Sequence, residues 1–174
     1  MTEINSKMLY TIANIIETFP EHHNQDTWVN VAPADYHPND DNGSSVIYDG
    51  TSVIHDGNRF SCGTTQCVAG WAVIIENGGL KHQHPDGSLV FNNGNSLELS
   101  EGSYSDLAYV YAGAEILGLE VDDARTLFMT TDIENYEAFD MPRVLREIAD
   151  GATVDEAVNS AWLRHNKWWD ETHG

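Results

Sequence analysis

Positive charge is scarce in this chain. Lys and Arg number 8 against 28 Asp and Glu among 174 residues, a formal net charge of -20. Such a chain repels phosphate backbones and anionic lipid surfaces, so direct nucleic-acid binding and membrane binding are not expected. It attracts basic protein surfaces, and it can imitate the charge of DNA; the plainer account is a self-repelling, soluble exterior. Cysteine is nearly absent, with 2 residues. The N-terminus, Met1-Thr2-Glu3, has no basic segment ahead of an apolar run, so no signal peptide is expected. Two thiols in a chain without an export signal imply a reducing, cytoplasmic home. No stretch approaches the roughly 18 apolar residues that span a bilayer. No Gly-x-Gly-x-x-Gly or Walker pattern occurs, which excludes a phosphate loop or dinucleotide fold. No internal repeat and no linker is visible. With 41% hydrophobic residues the chain has enough apolar surface for one domain, 1–174, with its own core.

What is present concentrates in Ser61-Cys62-Gly63-Thr64-Thr65-Gln66-Cys67-Val68-Ala69-Gly70-Trp71-Ala72-Val73. Thr64 or Thr65 suits an N-cap, because its hydroxyl accepts a free first-turn N–H. Cys67, Val68, Trp71, Ala72, Ile74 and Ile75 fall at helical spacing, and Asn77-Gly78-Gly79 supplies a stop. Gly70 inside this helix costs about 1 kcal/mol relative to alanine. The small Ala69-Gly70 pair leaves room for another backbone. The expectation is a central buried helix over 65–77, with Cys67, Gly70, Trp71 and Ile75 as structural core.

Elsewhere, Ile4, Met8, Leu9, Ile12, Ile15, Ile16 and Phe19 form one stripe, which predicts a helix over 4–18 closed by Pro20. Residues 20–45 are polar and read as a long loop, with Trp28 and Val29 as its anchor. Two hairpins are expected: Val46-Ile47-Tyr48 with Val53-Ile54, and Leu89-Val90-Phe91 with Leu97-Glu98-Leu99 across Asn92-Asn93-Gly94-Asn95. Four helices follow. One covers 105–117, with Leu107, Val110, Tyr111, Ala114 and Leu117 on its apolar side, and ends at Gly118. A second lies near 121–129. A third starts at Asp140, with Pro142 in the first turn, and ends at Gly151. The last starts at Thr153, where Glu156 completes a capping box, and runs to about Trp168. The fold class is α+β, mainly helical: about five to six helices around the 65–77 helix, with one or two short β-hairpins.

The run from Cys62 to Ala72 resembles a signature, Cys-Gly-Thr-x-x-Cys-(apolar)-Ala-Gly-(Trp or His)-Ala, of small actinobacterial and bacteriophage proteins. In those proteins an N-terminal helix and a Trp segment precede the signature, as Ile16-Glu17 through Gln25-Asp26-Thr27-Trp28 do here. A Leu-Gly-Leu segment follows it, matched by Leu117-Gly118-Leu119 with Ala124, Leu127 and Phe128. The resemblance covers about two thirds of the chain. It implies a small intracellular protein of phage or bacterial origin and supplies no catalytic residues.

Several constellations invite chemistry. Cys62, Cys67, His82 and His84 are the residue types of a zinc site, but a helix occupies the interval and the His-x-His spacing is short. A Cys62–Cys67 disulfide is sterically feasible and is opposed by a reducing compartment. Cys67 in a first helical turn, with His82 or His84 as base, is a candidate nucleophile. The papain-like Cys-Gly-Ser-Cys-Trp-Ala is only partly matched, since Val68-Ala69-Gly70 separates Cys67 from Trp71. Asn39-Asp40-Asp41-Asn42-Gly43 resembles the start of a calcium loop, but its alignment puts Pro38 at the first ligand position and Asp49 at the last. No carboxylate pair stands out as acid and base. Trp162 reads as core, while Trp168 and Trp169 are adjacent and cannot both face inward; interface hot spots favour Trp.

The expectation is a non-catalytic, phage-related binding protein without a cofactor, and not an enzyme. It would act on a host or self protein with a basic surface, with Trp168, Trp169, Asp122 and Asp123 as partner-binding residues, in the host cytoplasm if phage-encoded. Two alternatives stay open: a small cysteine-dependent enzyme using Cys67 with His82 or His84, and an acidic DNA mimic that blocks a nucleic-acid-binding protein.

Overall fold

The computed structural model describes residues 3–20, 23, 29–30, 46–48, 53–55, 65–83, 88–98, 105–128 and 140–173. Among them are six helices: α1 (Ser6–Thr18), α2 (Val68–Glu76), α3 (Ser105–Leu117), α4 (Val121–Phe128), α5 (Met141–Ala149) and α6 (Val154–His173). The strands are short: β1 (Val29–Asn30), β2 (Val46–Tyr48), β3 (Val53–His55), β4 (Thr65–Gln66), β5 (Leu80–Gln83), β6 (Leu89–Phe91) and β7 (Ser96–Leu97). The fold is α+β and mainly helical.

Local chemistry accounts for the helix ends. Asn5 caps α1, its side chain accepting the Met8 N–H at 3.1 Å. Asp140 caps α5 by accepting the Arg143 N–H at 3.1 Å, with a proline in the first turn. Thr153 and Glu156 form the expected reciprocal box: the Thr153 hydroxyl accepts the Glu156 N–H at 3.2 Å, and Glu156 accepts the Thr153 N–H at 2.9 Å.

Helix α1 lies on α5 and buries Met8, Leu9, Ile12, Ala13, Ile15 and Ile16; α5 buries Met141, Val144, Leu145 and Ile148. Polar groups fasten the rim of this pair. The Ser6 hydroxyl donates to the Ala149 carbonyl at 2.9 Å, and the Tyr10 hydroxyl to Asp150 at 2.5 Å. Arg146 reaches Glu17 at 2.6 Å and Asn14 at 2.9 Å. The Arg146 hydrogen bond holds the Glu17 carboxyl below its usual range and raises the guanidinium. This pair is exposed and contributes little to stability.

Helix α2 is apolar nearly all round: every residue from Val68 to Ile75 is buried. Such a helix needs neighbours on all sides. The tightest is α3. A Cβ added at Gly113 would stand 2.8 Å from the Phe128 ring and 3.2 Å from Ala69 Cβ, so the absent side chain there sets how closely α3 and α4 approach α2. Beyond α3 the chain turns at Gly118, φ +68°, where a Cβ would collide with the Glu3 carbonyl oxygen. The N-terminal segment lies across this helix end: the Asn5 N–H donates to the Leu117 carbonyl at 2.9 Å and its side-chain amide to Ile116 at 3.0 Å.

The largest sheet has three antiparallel strands in the order β5-β6-β7, with Leu89 opposite Leu97 and Val90 opposite Ser96. β2 pairs with β3, Ile47 opposite Ile54. β1 pairs with β4, Val29 opposite Gln66 and Asn30 opposite Thr65. Side-chain amides clamp the β6–β7 hairpin to the end of α2. Asn93 and Asn95 donate to Asn77 Oδ1 at 3.1 and 2.9 Å, and Asn92 donates to the Gly78 carbonyl at 3.2 Å.

Five sequence expectations are corrected. The central helix starts at Val68 and not at residue 65, because Thr65 and Gln66 are extended against β1. Its cap is Cys67, and Thr65 is a strand residue. β5 was not anticipated, and the β6–β7 ladder ends at Leu97. Tyr111 points outward at 54% exposure, whereas Tyr109, two positions earlier, is 2% exposed. Helix α6 continues beyond Trp168 to His173. The loop over 21–45, apart from residues 23 and 29–30, lies outside the described residues, as does the calcium-like run 39–43.

Gly118→Ala should test the crossing of the N-terminal segment over α3. Forcing alanine to φ +68° costs about 1 kcal/mol or more, and the Glu3 collision adds to it. Gly78→Ala, at φ +73° with open space around it, carries the backbone cost alone. Thermal unfolding should place the Gly118 variant clearly below the Gly78 variant; equal midpoints would remove the close approach as a constraint.

Candidate functional site

Most of the residues that the sequence singles out and the structure describes lie at two places, the start of α2 and the end of α6. At the first, Cys67 is a thiol in no disulfide, with 0% exposure. Its sulfur accepts the Gly70 N–H at 3.5 Å, which is how a thiol can serve as an N-cap. Gly70 therefore sits one turn into the helix, with its amide turned towards that sulfur. Burial pushes the Cys67 thiol up to about 12, against which the backbone N–H contacts act only partly. Tyr109 is also raised, first by burial and then by its proximity to Cys67. A thiol in this state is protonated at neutral pH and is a poor nucleophile. Trp71 is also fully buried, and its Nε1 has no hydrogen-bond partner among the described residues.

Cys62 and His84 lie outside the described residues, and of His82 only the backbone, in β5, is described. Among the described residues no group of three or more His, Cys, Asp or Glu is placed to hold a metal. No helix among them is long and apolar enough to cross a membrane.

At the second place, α6 buries Val154, Ala157, Val158, Ala161 and His165 along one face. Steps of three and four residues carry that face from Trp162 through His165 to Trp168 and Trp169. The four rings gather. His165 lies 6.1 Å from Trp162, edge-on at 85°, 6.0 Å from Trp168 and 6.4 Å from Trp169; the two indoles are 6.3 Å apart. These distances fall within the usual range for aromatic pairs. His165 is only 8% exposed, and its Nδ1 is buried without a partner among the described residues. Trp168 and Trp169 are each 40% exposed, so neither indole is fully inside. Trp162 is half-buried against the core.

Two cations stand beside this cluster, and Arg164 is bonded through Nη1 while its Nη2 is buried without a partner among the described residues. Arg164 donates to Glu147 at 3.1 Å and to the Ser160 hydroxyl at 2.6 Å. Lys167 stands 3.9 Å from Glu171. Asp170 and Glu171 are exposed.

Asp122 and Asp123 occupy the first turn of α4, the former exposed and the latter half-buried. Carboxylates there complement the positive end of the helix dipole, a structural benefit that needs no partner. His165 was not singled out from sequence. Its spacing to Trp162, Trp168 and Trp169 was the available signal, since it places the imidazole among all three indoles.

No family model matches the chain, and no curated protein or solved structure matches it.

Iodoacetamide at mildly alkaline pH should leave Cys67 unmodified in the native protein and modify it after guanidinium unfolding, read at the Cys67 peptide by mass spectrometry. Rapid native labelling would show an open thiol. The linked stability has a definite sign. The folded-state value lies above the ordinary 9.0, so this contribution is whole below about 9 and is lost as pH rises through about 12. Cys67→Ala should flatten stability across that window in alkaline denaturation curves.

Proposed function

We propose that this protein works non-catalytically, by binding a host or self protein with a basic surface. It would do so inside the cell, and in the host cytoplasm if a phage encodes it. The observation that carries the reading is the net charge of -20, which favours a basic protein partner and opposes phosphate and anionic lipid. Two further features support it. The one described cysteine is sealed and protonated, so the nearest candidate for covalent chemistry faces inward. The exposed end of α6 presents two indoles, a residue type favoured at interface hot spots. A cysteine-dependent enzyme would need a thiolate that water can reach. A DNA mimic would need carboxylates at phosphate-like intervals, whereas the acidic residues are scattered through the sequence.

Affinity capture from a host lysate, followed by calorimetry with the purified captured protein, tests this. A stoichiometric basic partner is expected, with affinity falling steeply as salt rises. Turnover of a substrate without any stoichiometric partner would reject the reading.

A further inference from the structure

The sequence holds the pairs Asn42-Gly43, Asn77-Gly78 and Asn93-Gly94. An Asn-Gly pair can modify itself. The glycine backbone nitrogen attacks the asparagine Cγ, since no side chain on the glycine bars its approach. A new N–Cγ bond closes a succinimide ring, the Cγ–Nδ2 bond breaks, and the expelled nitrogen takes up the glycine amide proton and leaves as ammonia. Water then opens the ring at either carbonyl and gives aspartate or isoaspartate. The reaction needs no oxidant, metal or second protein. Asn42-Gly43 lies outside the described residues. The other two pairs meet in the amide clamp, where Asn93 Nδ2 donates to Asn77 Oδ1 at 3.1 Å.

We propose that Asn93 is a self-modification site, and that its conversion to aspartate and isoaspartate releases the β6–β7 hairpin from the end of α2. This holds whatever the protein binds.

Geometry chooses between the two asparagines. Each glycine N–H must leave one carbonyl to attack, Gly94 that of Phe91 at 3.0 Å and Gly78 that of Ile75 at 3.1 Å, so this cost is shared. Each side-chain carbonyl is also polarised. Asn93 Oδ1 accepts the Asn95 N–H at 2.9 Å, and Asn77 Oδ1 accepts the amides of Asn93 and Asn95. Donors on that oxygen stabilise the negative charge that develops there during attack. The difference lies in tethering. Asn77 is half-buried at the C-cap of α2, and its Nδ2 donates to the Val73 carbonyl at 2.8 Å. Ring closure there would pull the side chain off the helix end, and the Gly79 N–H behind it is held by the Ile74 carbonyl at 2.9 Å. Asn93 is exposed, in the loop that Phe91 and Asn95 close. The nitrogen that ties it to Asn77 is the one the reaction expels.

The product is therefore incompatible with the clamp. A carboxylate oxygen would face Asn77 Oδ1, acceptor against acceptor, and would bring a negative charge towards the carbonyl end of α2. Isoaspartate also lengthens the backbone inside a turn closed by the Phe91 N–H on the Asn95 carbonyl at 2.9 Å.

The full chain, aged at mildly alkaline pH and digested, tests the site by mass spectrometry of the amide-to-acid mass gain; methylation by an isoaspartyl methyltransferase marks isoaspartate. In the native protein Asn93 should convert about tenfold faster than Asn77, the rate equivalent of the one net hydrogen bond that Asn77 must give up. In guanidinium the two rates should converge, because both sites are Asn-Gly. Equal native rates, or a native Asn93 that stays intact while the unfolded chain converts, would overturn the site. Release is read on the aged, more acidic fraction from anion exchange and, independently, on Asn93→Asp. Hydrogen exchange should quicken at the Asn92 N–H, which donates to the Gly79 carbonyl at 3.0 Å, and hold at the α1 amides. An Asn92 amide as protected as in the wild type, or an equal rise at α1, would overturn the local release.

Discussion

The approach of α3 and α4 to α2 at Gly113 is the constraint on which the rest of the packing depends. Helix α2 offers no polar side to water between Val68 and Ile75, so it is stable only when neighbours enclose it. Gly113 lets the Phe128 ring and Ala69 come within van der Waals distance of the α3 backbone, and one missing side chain thus joins three helices. The turn at Gly118 then returns the chain under the N-terminal segment, which places α1 where it can cover α5. Replacing any of these small contacts by a larger group would push apart elements far from one another in sequence.

That enclosure also decides what the signature residues can do. Cys67 at the start of a helix has the position of an activated thiol, since the helix dipole and nearby N–H groups favour thiolate. Burial wins over both, and the sulfur ends as a cap for the helix it precedes. Chemistry that the sequence pattern invites at this point is therefore closed off by packing.

The helices of the C-terminal half were legible because their signals are local. Asp140 with a following proline, and Thr153 with Glu156, act across three residues, and the sequence contains both partners. Signals were lost where the partner is remote. Nothing near Thr65 announces that it will pair with Asn30, so the helix start was placed too early. In β5 only Leu80 is apolar, which leaves no alternation to read. Tyr109 and Tyr111 differ by two positions on a helix with few polar residues, and the one that turns inward is the one near Cys67, a neighbour remote in sequence. The ring cluster shows the same limit: the Trp residues stood out, while the histidine among them became visible only through helical spacing combined with burial.

The amide clamp between α2 and the β6–β7 hairpin has a consequence for how this molecule responds to its surroundings. Asn77, Asn92, Asn93 and Asn95 join the two with neutral groups, whereas α1 and α5 are fastened at their rim by Arg146 with Glu17 and by Tyr10 with Asp150. Acid protonates carboxylates and salt screens ion pairs, but neither alters an amide. Acid or salt would therefore weaken the exposed ion pair at the helical rim, a small contribution beside the buried α1–α5 contact, and would leave unchanged the amides that moor the small sheet.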